Sequence, residues 1–400
     1  MLNSKQKESK LAETSQQNII LPNQVGIMSI PFNIPYTCTE SAENVMNLVD
    51  NPTRLAHQTF KKECVRFFEE RFPNYKALLT SSCTSAMELI ALSMGFGKRD
   101  EVIMPSFGFV GVANAFANTG ASPVFVDIIP STMNIDPESV VKSITPATRA
   151  VVIVHYAGVA CATDTIRRIC DDHGLLLIED SAQGIGCSDK GRPMGSMGDF
   201  SCISFDSLKN ISCGEGGLLL CKEYHWPKVL VAFNNGTNRE AFERKQTNRY
   251  EWIASGSKFE MSEFSAAILH PLLLKSEYIL EQRRRLWQLL YNKLLISGVP
   301  EEMLPTSIAN KPHNGHIFYI KCNKNRANLI GRLHGAGIAC AFHYSPLHNS
   351  PRAKAAGWRM DCDSHTTIES ERLLRLPIHH HLTEAQIEYI ASTLAAFLAR

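Results

Sequence analysis

The sequence predicts an α/β protein, with a large domain built on a mostly parallel sheet and a smaller α+β domain at the C-terminus. Three observations carry this. From about residue 76 to 222, short apolar runs alternate with segments of helical length and spacing, as βαβ units do. The runs are apolar almost throughout, as in Ala150-Val-Val-Ile-Val-His155 and Leu175-Leu-Leu-Ile-Glu-Asp180, which fits strands covered by helices on both faces. Beyond residue 222 longer charged amphipathic segments take over. At 400 residues the chain exceeds what one hydrophobic core ordinarily fills, so two domains are expected, a large one over 31–270 and a small one over 271–400.

The elements follow in order. Residues 1–30 begin MLNSKQKESKLAETSQQN, polar and without the apolar core of a signal peptide, and read as a disordered extension. Lys76–Thr80 is an expected strand, followed by a helix over Ser85–Gly95 with Ser85-x-x-Glu88 as its capping box. Glu101–Met104 is a strand that Pro105 ends, and Gly108–Thr119 carries small apolar residues at helical spacing. Strands are expected at Pro123–Asp127, Ala150–His155, Leu175–Asp180, Phe200–Phe205 and Gly216–Lys222, with helices at Pro137–Ile144 and Thr163–His173. In the C-terminal part, Ser276–Leu295 reads as a charged amphipathic helix, with Arg283-Arg-Arg285 on its solvated face. His316–Lys321 and Ile338–His343 read as strands, and His379-His-His381 as the approach to a last helix rather than a metal tract.

Composition excludes several functions. Forty-one basic and 39 acidic residues leave a net charge of +2, with no basic run suited to nucleic acid. No stretch of about 18 apolar residues is present to span a membrane. None of the 12 cysteines is spaced as CxxC, so free thiols in a reducing compartment, the cytoplasm, are expected.

Ligands of parallel sheets bind beyond the carboxyl ends of the strands, and four features gather there. Ser81-Ser-Cys-Thr-Ser85 leads into a helix; it is either a simple N-cap or an anion site suited to phosphate. Phe109, just past Glu101–Met104, is core packing or a stacking platform for a flat ring. Asp180 ends an apolar strand, where a carboxylate needs a cation, a metal or a ring N–H unless it caps the next segment. Lys209 follows Phe200–Phe205 and precedes Gly214, Gly216 and Gly217; it reaches solvent from a turn or acts as a nucleophile toward a carbonyl carbon. Together they match what pyridoxal 5′-phosphate requires: a phosphate cradle, a stacking ring, an acid for the pyridine nitrogen and a lysine for the imine.

From about Pro31 onward the chain resembles the DegT/DnrJ/EryC1/StrS family of PLP-dependent sugar aminotransferases. The stretches that carry the likeness include DEVIMPSFGFVGVANAFANTGASPVFVD (100–127), TMNID (132–136), VHYAGVACATDTI (154–166), FHYSPLH (342–348) and TTIESERLLRLP (366–377). They are most similar to members that make dTDP-4-amino-4,6-dideoxygalactose for surface polysaccharide. The resemblance implies the PLP-dependent transferase type I (aspartate aminotransferase) fold. It implies that Lys209 is the imine-forming lysine and general acid/base, and that Asp180 pairs with the pyridine nitrogen. Gln183 would lie near the phenolic oxygen, Phe109 on the ring, and Thr84, Ser85 and Ser204 on the phosphate. It further implies L-glutamate as donor, a dTDP-linked 4-keto-6-deoxyhexose as acceptor, and a homodimer with active sites at the interface. Gly108, Asp206 and Glu260 depart from the family pattern and keep two alternatives open: a 3-keto sugar aminotransferase, and a silent nucleotide-sugar-binding paralogue. Arg249 and Lys258 are candidates, on charge alone, to meet a nucleotide diphosphate.

Overall fold

The computed structural model describes residues 28–305, 308, 312–323 and 325–399. Residues 1–27, most of the expected extension, lie outside the described residues. The central sheet has seven strands: β1 (Tyr75–Thr80), β2 (Glu101–Pro105), β3 (Ser122–Val126), β4 (Thr148–Val154), β5 (Leu176–Asp180), β8 (Phe200–Ser204) and β9 (Gly217–Lys222). A two-stranded hairpin, β6 (Ser188–Asp189) and β7 (Arg192–Pro193), interrupts them in sequence. The spatial order is β1-β9-β8-β5-β4-β2-β3. All neighbours are parallel except β9, which runs against both β8 and β1. Six strands therefore end at one edge, and β9 starts there.

The apolar runs are explained by two covered faces. Along β9, Leu219 and Cys221 join the core formed by Ala86, Ile90 and Phe116, while Leu218 and Leu220 join Phe60, Phe68, Leu269 and Leu272 on the other side. Alternate side chains thus enter different cores, and neither face can be polar. The second core draws on the helices Thr59–Arg71 and Glu263–Leu274. A three-stranded antiparallel sheet follows, in order β10-β12-β11, from β10 (Phe318–Lys321), β11 (Ala341–Phe342) and β12 (Leu373–Leu376). It packs with the helices Ser276–Ile296 and Glu384–Leu398 around Trp287, Leu290, Phe318 and Ile390.

Several expectations change. The first helix after β1 begins at Cys83, and its cap is Ser82, whose hydroxyl accepts the Ser85 amide at 3.0 Å; Ser85 is the capped residue, not the cap. The strands expected at 316–321 and 338–343 shorten to 318–321 and 341–342, and β12 was not anticipated. Arg283 is buried rather than solvated. Its guanidinium donates to the carbonyls of Gly315 (3.2 Å), His316 (3.1 Å) and Ile378 (3.0 Å), and burial pushes its pKa down to about 9. No helix among the described residues is long and apolar enough to cross a membrane.

Candidate active site

The site lies where the carboxyl edge of the large sheet faces the small sheet, across a cavity of about 780 Å³. Its large-sheet wall is built from the segments that follow β1, β2, β5 and β8. After β1, Ser82 turns the chain into the helix Cys83–Ser93 and leaves the first amides of that helix without partners in the helix itself. Gly217, at the start of β9, passes directly beneath this turn: a Cβ there would lie 2.3 Å from the Ser82 carbonyl carbon. The turn is held from the other side by Phe259, whose carbonyl accepts the Ser81 amide at 2.7 Å.

After β2, Phe109 begins the helix Val110–Ala117, and its ring lines the cavity. Gly111 brings three groups together: a Cβ there would lie 2.6 Å from the Thr84 hydroxyl and 2.7 Å from the Phe109 ring. Phe107, two residues earlier, is instead core.

After β5, the two acids part. Glu179 points away from the cavity into a buried nest, accepting from the amides of Gly195 (3.1 Å), Met197 (2.8 Å) and Gly198 (2.6 Å). The Cys161 amide donates to Nδ1 of His155, so Nε2 carries the ring proton and donates to Glu179 at 2.9 Å. Asp180 points into the cavity, and among the described residues its carboxylate accepts from the Ala182 amide alone, at 2.9 Å. Burial pushes its pKa up, opposed by that amide and by the charge on Lys209. Gln183 is anchored at both ends of its amide: it accepts from the Ala157 N–H at 2.7 Å and donates to the Tyr344 hydroxyl at 3.3 Å.

After β8, Ser204 lines the cavity and Asp206 shapes an Asx turn by accepting the Leu208 amide at 2.9 Å. Lys209 follows, half-buried because it faces the cavity, with no hydrogen bond to its amine among the described residues. Surrounding protein pushes its pKa down, and the charge of Asp180 opposes the shift.

Thr84, Phe109, Asp180, Gln183, Ser204 and Lys209 therefore all line one cavity. Ser85 stands behind it, its hydroxyl 2.9 Å from those of Ser81 and Ser82. Arg249 and Lys258 do not line it; Lys258 pairs with Glu260 at 3.4 Å, and Glu260 also pairs with Lys61 at 2.5 Å. Chemically the set offers a nucleophilic amine, a buried carboxyl, an apolar ring face and a group of hydroxyl and amide donors suited to an anion.

The sequence profile of the DegT/DnrJ/EryC1/StrS aminotransferase family matches residues 43–395. The chain belongs to this family. An uncharacterized protein of Methanocaldococcus jannaschii is 32% identical to it over 334 residues, covering 80% of this chain and 86% of its own length. The aminotransferase TlmJ of Streptoalloteichus hindustanus superposes with a TM-score of 0.81 at 25% identity, covering 93% of this chain and 99% of TlmJ. DesI, in a crystal structure with its TDP-sugar product, gives a TM-score of 0.81 at 25% identity and covers 92% of each chain. Helicobacter pylori PseC, at 20% identity and a TM-score of 0.82, over 92% of this chain and 99% of PseC, shares the fold.

In this aminotransferase the cavity has a second wall, from the small sheet, with His316, His343, Tyr344 and Arg375, which no local motif marks as part of a site. His316 donates from Nδ1 to Asn210 at 3.0 Å, and Asn210 donates on to the Asn314 carbonyl at 2.9 Å, so the residue after Lys209 is tied to the opposite sheet. Its trace in the sequence is a charge inside the apolar run Leu373-Leu-Arg-Leu376.

Proposed function

We propose that this protein is a pyridoxal-phosphate-dependent aminotransferase acting in the cytoplasm. Its donor is L-glutamate and its acceptor a nucleotide-linked 4-keto-6-deoxyhexose, dTDP-4-keto-6-deoxyglucose, which yields dTDP-4-amino-4,6-dideoxygalactose. The observation that carries the reading is the placement of Lys209 and Asp180 in one cavity beside the turn at 82–85.

The residues present fit the cofactor. Gly217 lets β9 pass directly beneath the turn at Ser82, and Gly111 lets the next helix approach Thr84; the hydroxyls of Thr84 and Ser204 line the cavity beside that helix N-terminus and would hold a phosphate, with Ser85 behind them. Asp180 would pair with the ring nitrogen, which removes the cost of a buried carboxylate. Gln183 would meet the phenolic oxygen, Phe109 the ring face, and Lys209 the aldehyde carbon. When bound, the group supplies an electron sink for the bonds at the amino-bearing carbon.

The protein's own part is positioning and proton transfer. The lowered pKa of Lys209 keeps a larger share of its amine neutral, as a nucleophile and base requires. A single amine on one side of the cavity can serve the proton transfers of both half-reactions, because each moves a proton between adjacent positions. The cavity volume of about 780 Å³ lies within the range of small-molecule sites. DesI, crystallised with a TDP-sugar product, supports a nucleotide sugar as acceptor.

The test is an absorbance scan with pyridoxal phosphate, then with L-glutamate, on the wild type and Lys209→Ala. The wild type should gain a visible band that glutamate bleaches, and the variant should gain neither. An identical spectrum in the variant would overturn the assignment of Lys209, and a band that glutamate leaves unmoved would overturn the donor half-reaction.

A further inference from the structure

We propose that Asn314 is a positioning residue: it holds the segment that carries Lys209 and the turn that follows Asp180 as one unit. The inference rests on the aminotransferase reading above. It concerns how the amine of Lys209 keeps its place relative to Asp180 and Gln183, the groups that would hold the ring. Asn314 lies just ahead of β10, is 1% exposed and does not itself line the cavity, so it acts through the two segments it binds.

Those segments need a link. β5 and β8 run parallel and paired as far as Asp180 and Cys202, and the Ser181 amide donates to the Cys202 carbonyl at 2.8 Å. Past that point, among the described residues, no hydrogen bond joins residues 182–187 directly to residues 205–213.

Asn314 supplies the link. Its side-chain amide donates to the carbonyls of Gln183 at 2.8 Å and Ile185 at 3.0 Å, which spends both of its N–H groups on the turn. Its side-chain oxygen accepts the His316 amide at 3.1 Å. Its backbone carbonyl accepts from the side chain of Asn210, the residue after Lys209, at 2.9 Å. The oxygen of that same Asn210 side chain accepts from His316 Nδ1 at 3.0 Å. Residues 314–316 thus form a bracket with one arm on each segment.

The bracket is itself fixed. The Arg283 guanidinium grips it from the long helix, through the carbonyls of Gly315 at 3.2 Å and His316 at 3.1 Å. Gly158 makes room for it: a Cβ there would lie 2.5 Å from the Asn314 side-chain oxygen and 3.1 Å from the Gln183 carbonyl oxygen. Gln183 and Asn210 are buried as well. In a buried network of this kind the loss of one partner leaves the others unpaired. Lys209 and Asp180 would act on one bound molecule, and an offset of about 1 Å between them can cost about 100-fold in rate.

The experiment uses two variants. Asn314→Asp keeps the size of the side chain and the acceptor for the His316 amide but loses both donors. Asn210→Ala releases the other arm. Hydrogen exchange is followed by mass spectrometry on protein without pyridoxal phosphate. In Asn314→Asp the peptides over 181–187 and 205–213 should both exchange about tenfold faster, as the loss of one or two net hydrogen bonds allows. β3, at the far edge of the sheet, should exchange as in the wild type. With cofactor, kcat should fall about 10- to 100-fold while the KM values for L-glutamate and the sugar nucleotide stay unchanged. Asn210→Ala should lower kcat in the same way, and the double variant should lose less than the product of the two single losses, because both residues act along one path. Faster exchange in one of the two peptides alone, or equally along the whole chain, overturns the inference. So does an unchanged kcat in Asn210→Ala, which decides even where Asn314→Asp does not fold. A wild type that forms no visible band fails the functional reading instead, and the exchange comparison, run without cofactor, still decides for or against the bracket.

Discussion

Lys209 and Asp180 show how the surroundings of a single residue shift its charge. Each is pushed toward its neutral form by the surrounding protein, and each is pulled back by the charge of the other. The sign for the lysine is definite: its folded pKa lies below the ordinary 10.5, so the neutral amine accumulates as pH rises through that lower value. The rate of pyridoxal phosphate attachment should therefore climb with pH and level off before the range where free lysine titrates. A rate still climbing through pH 10.5 would contradict it; stopped-flow absorbance across pH 6 to 11 decides. Both residues were legible in the sequence because an apolar run ending in a charge is a local signal. Arg375 lies inside the apolar run Leu373-Leu-Arg-Leu376 rather than at its end, and what it faces depends on strands distant in sequence. Nothing local could have placed it in the cavity wall.

At the scale of elements, the turn at 81–85 was found but misphased. Ser81-Ser-Cys-Thr-Ser85 offers several hydroxyls, and which one caps the helix depends on where β1 stops. That is fixed by pairing Thr80 with Gly217, a long-range fact. Gly217 is also the test of this packing. A Cβ there meets the backbone of Ser82 and Cys83 at 2.3 and 2.5 Å, and no rotamer can relieve a backbone overlap. Gly217→Ala should cost about 1–3 kcal/mol in urea denaturation and release cofactor. Gly97→Ala, where a Cβ would meet nothing within 4 Å, should do neither. Equal stability in the two variants would mean that the turn moves freely. Arg283 gives the opposite lesson: one arginine in a run of three is buried by the carbonyls it reaches, and charge patterning along the helix has no means to single it out.

For the whole molecule, the succession of βαβ units was legible because period and strand length are local, whereas the reversed strand β9 and the small sheet's order are set by tertiary pairing. One large feature stays open in a single copy. Phe109, which lines the cavity, and its neighbour Val110 are about half exposed, and Trp252 is 81% exposed, apolar surface of the kind a partner covers. A second copy is the proposed cover, and light scattering on the eluted protein should give twice the chain mass; a monomer at micromolar concentration would refute it. The reversed strand has a consequence in time as well. β1 touches the central sheet through β9 alone, so the edge that carries the anion turn has no neighbour until residue 217 has left the ribosome. Arg375 comes later still. A nascent or truncated chain would thus expose an unpaired edge strand and hold no cofactor. On the proposed reading, cofactor capture would mark the end of synthesis, and starvation for the vitamin should act on finished chains rather than on growing ones.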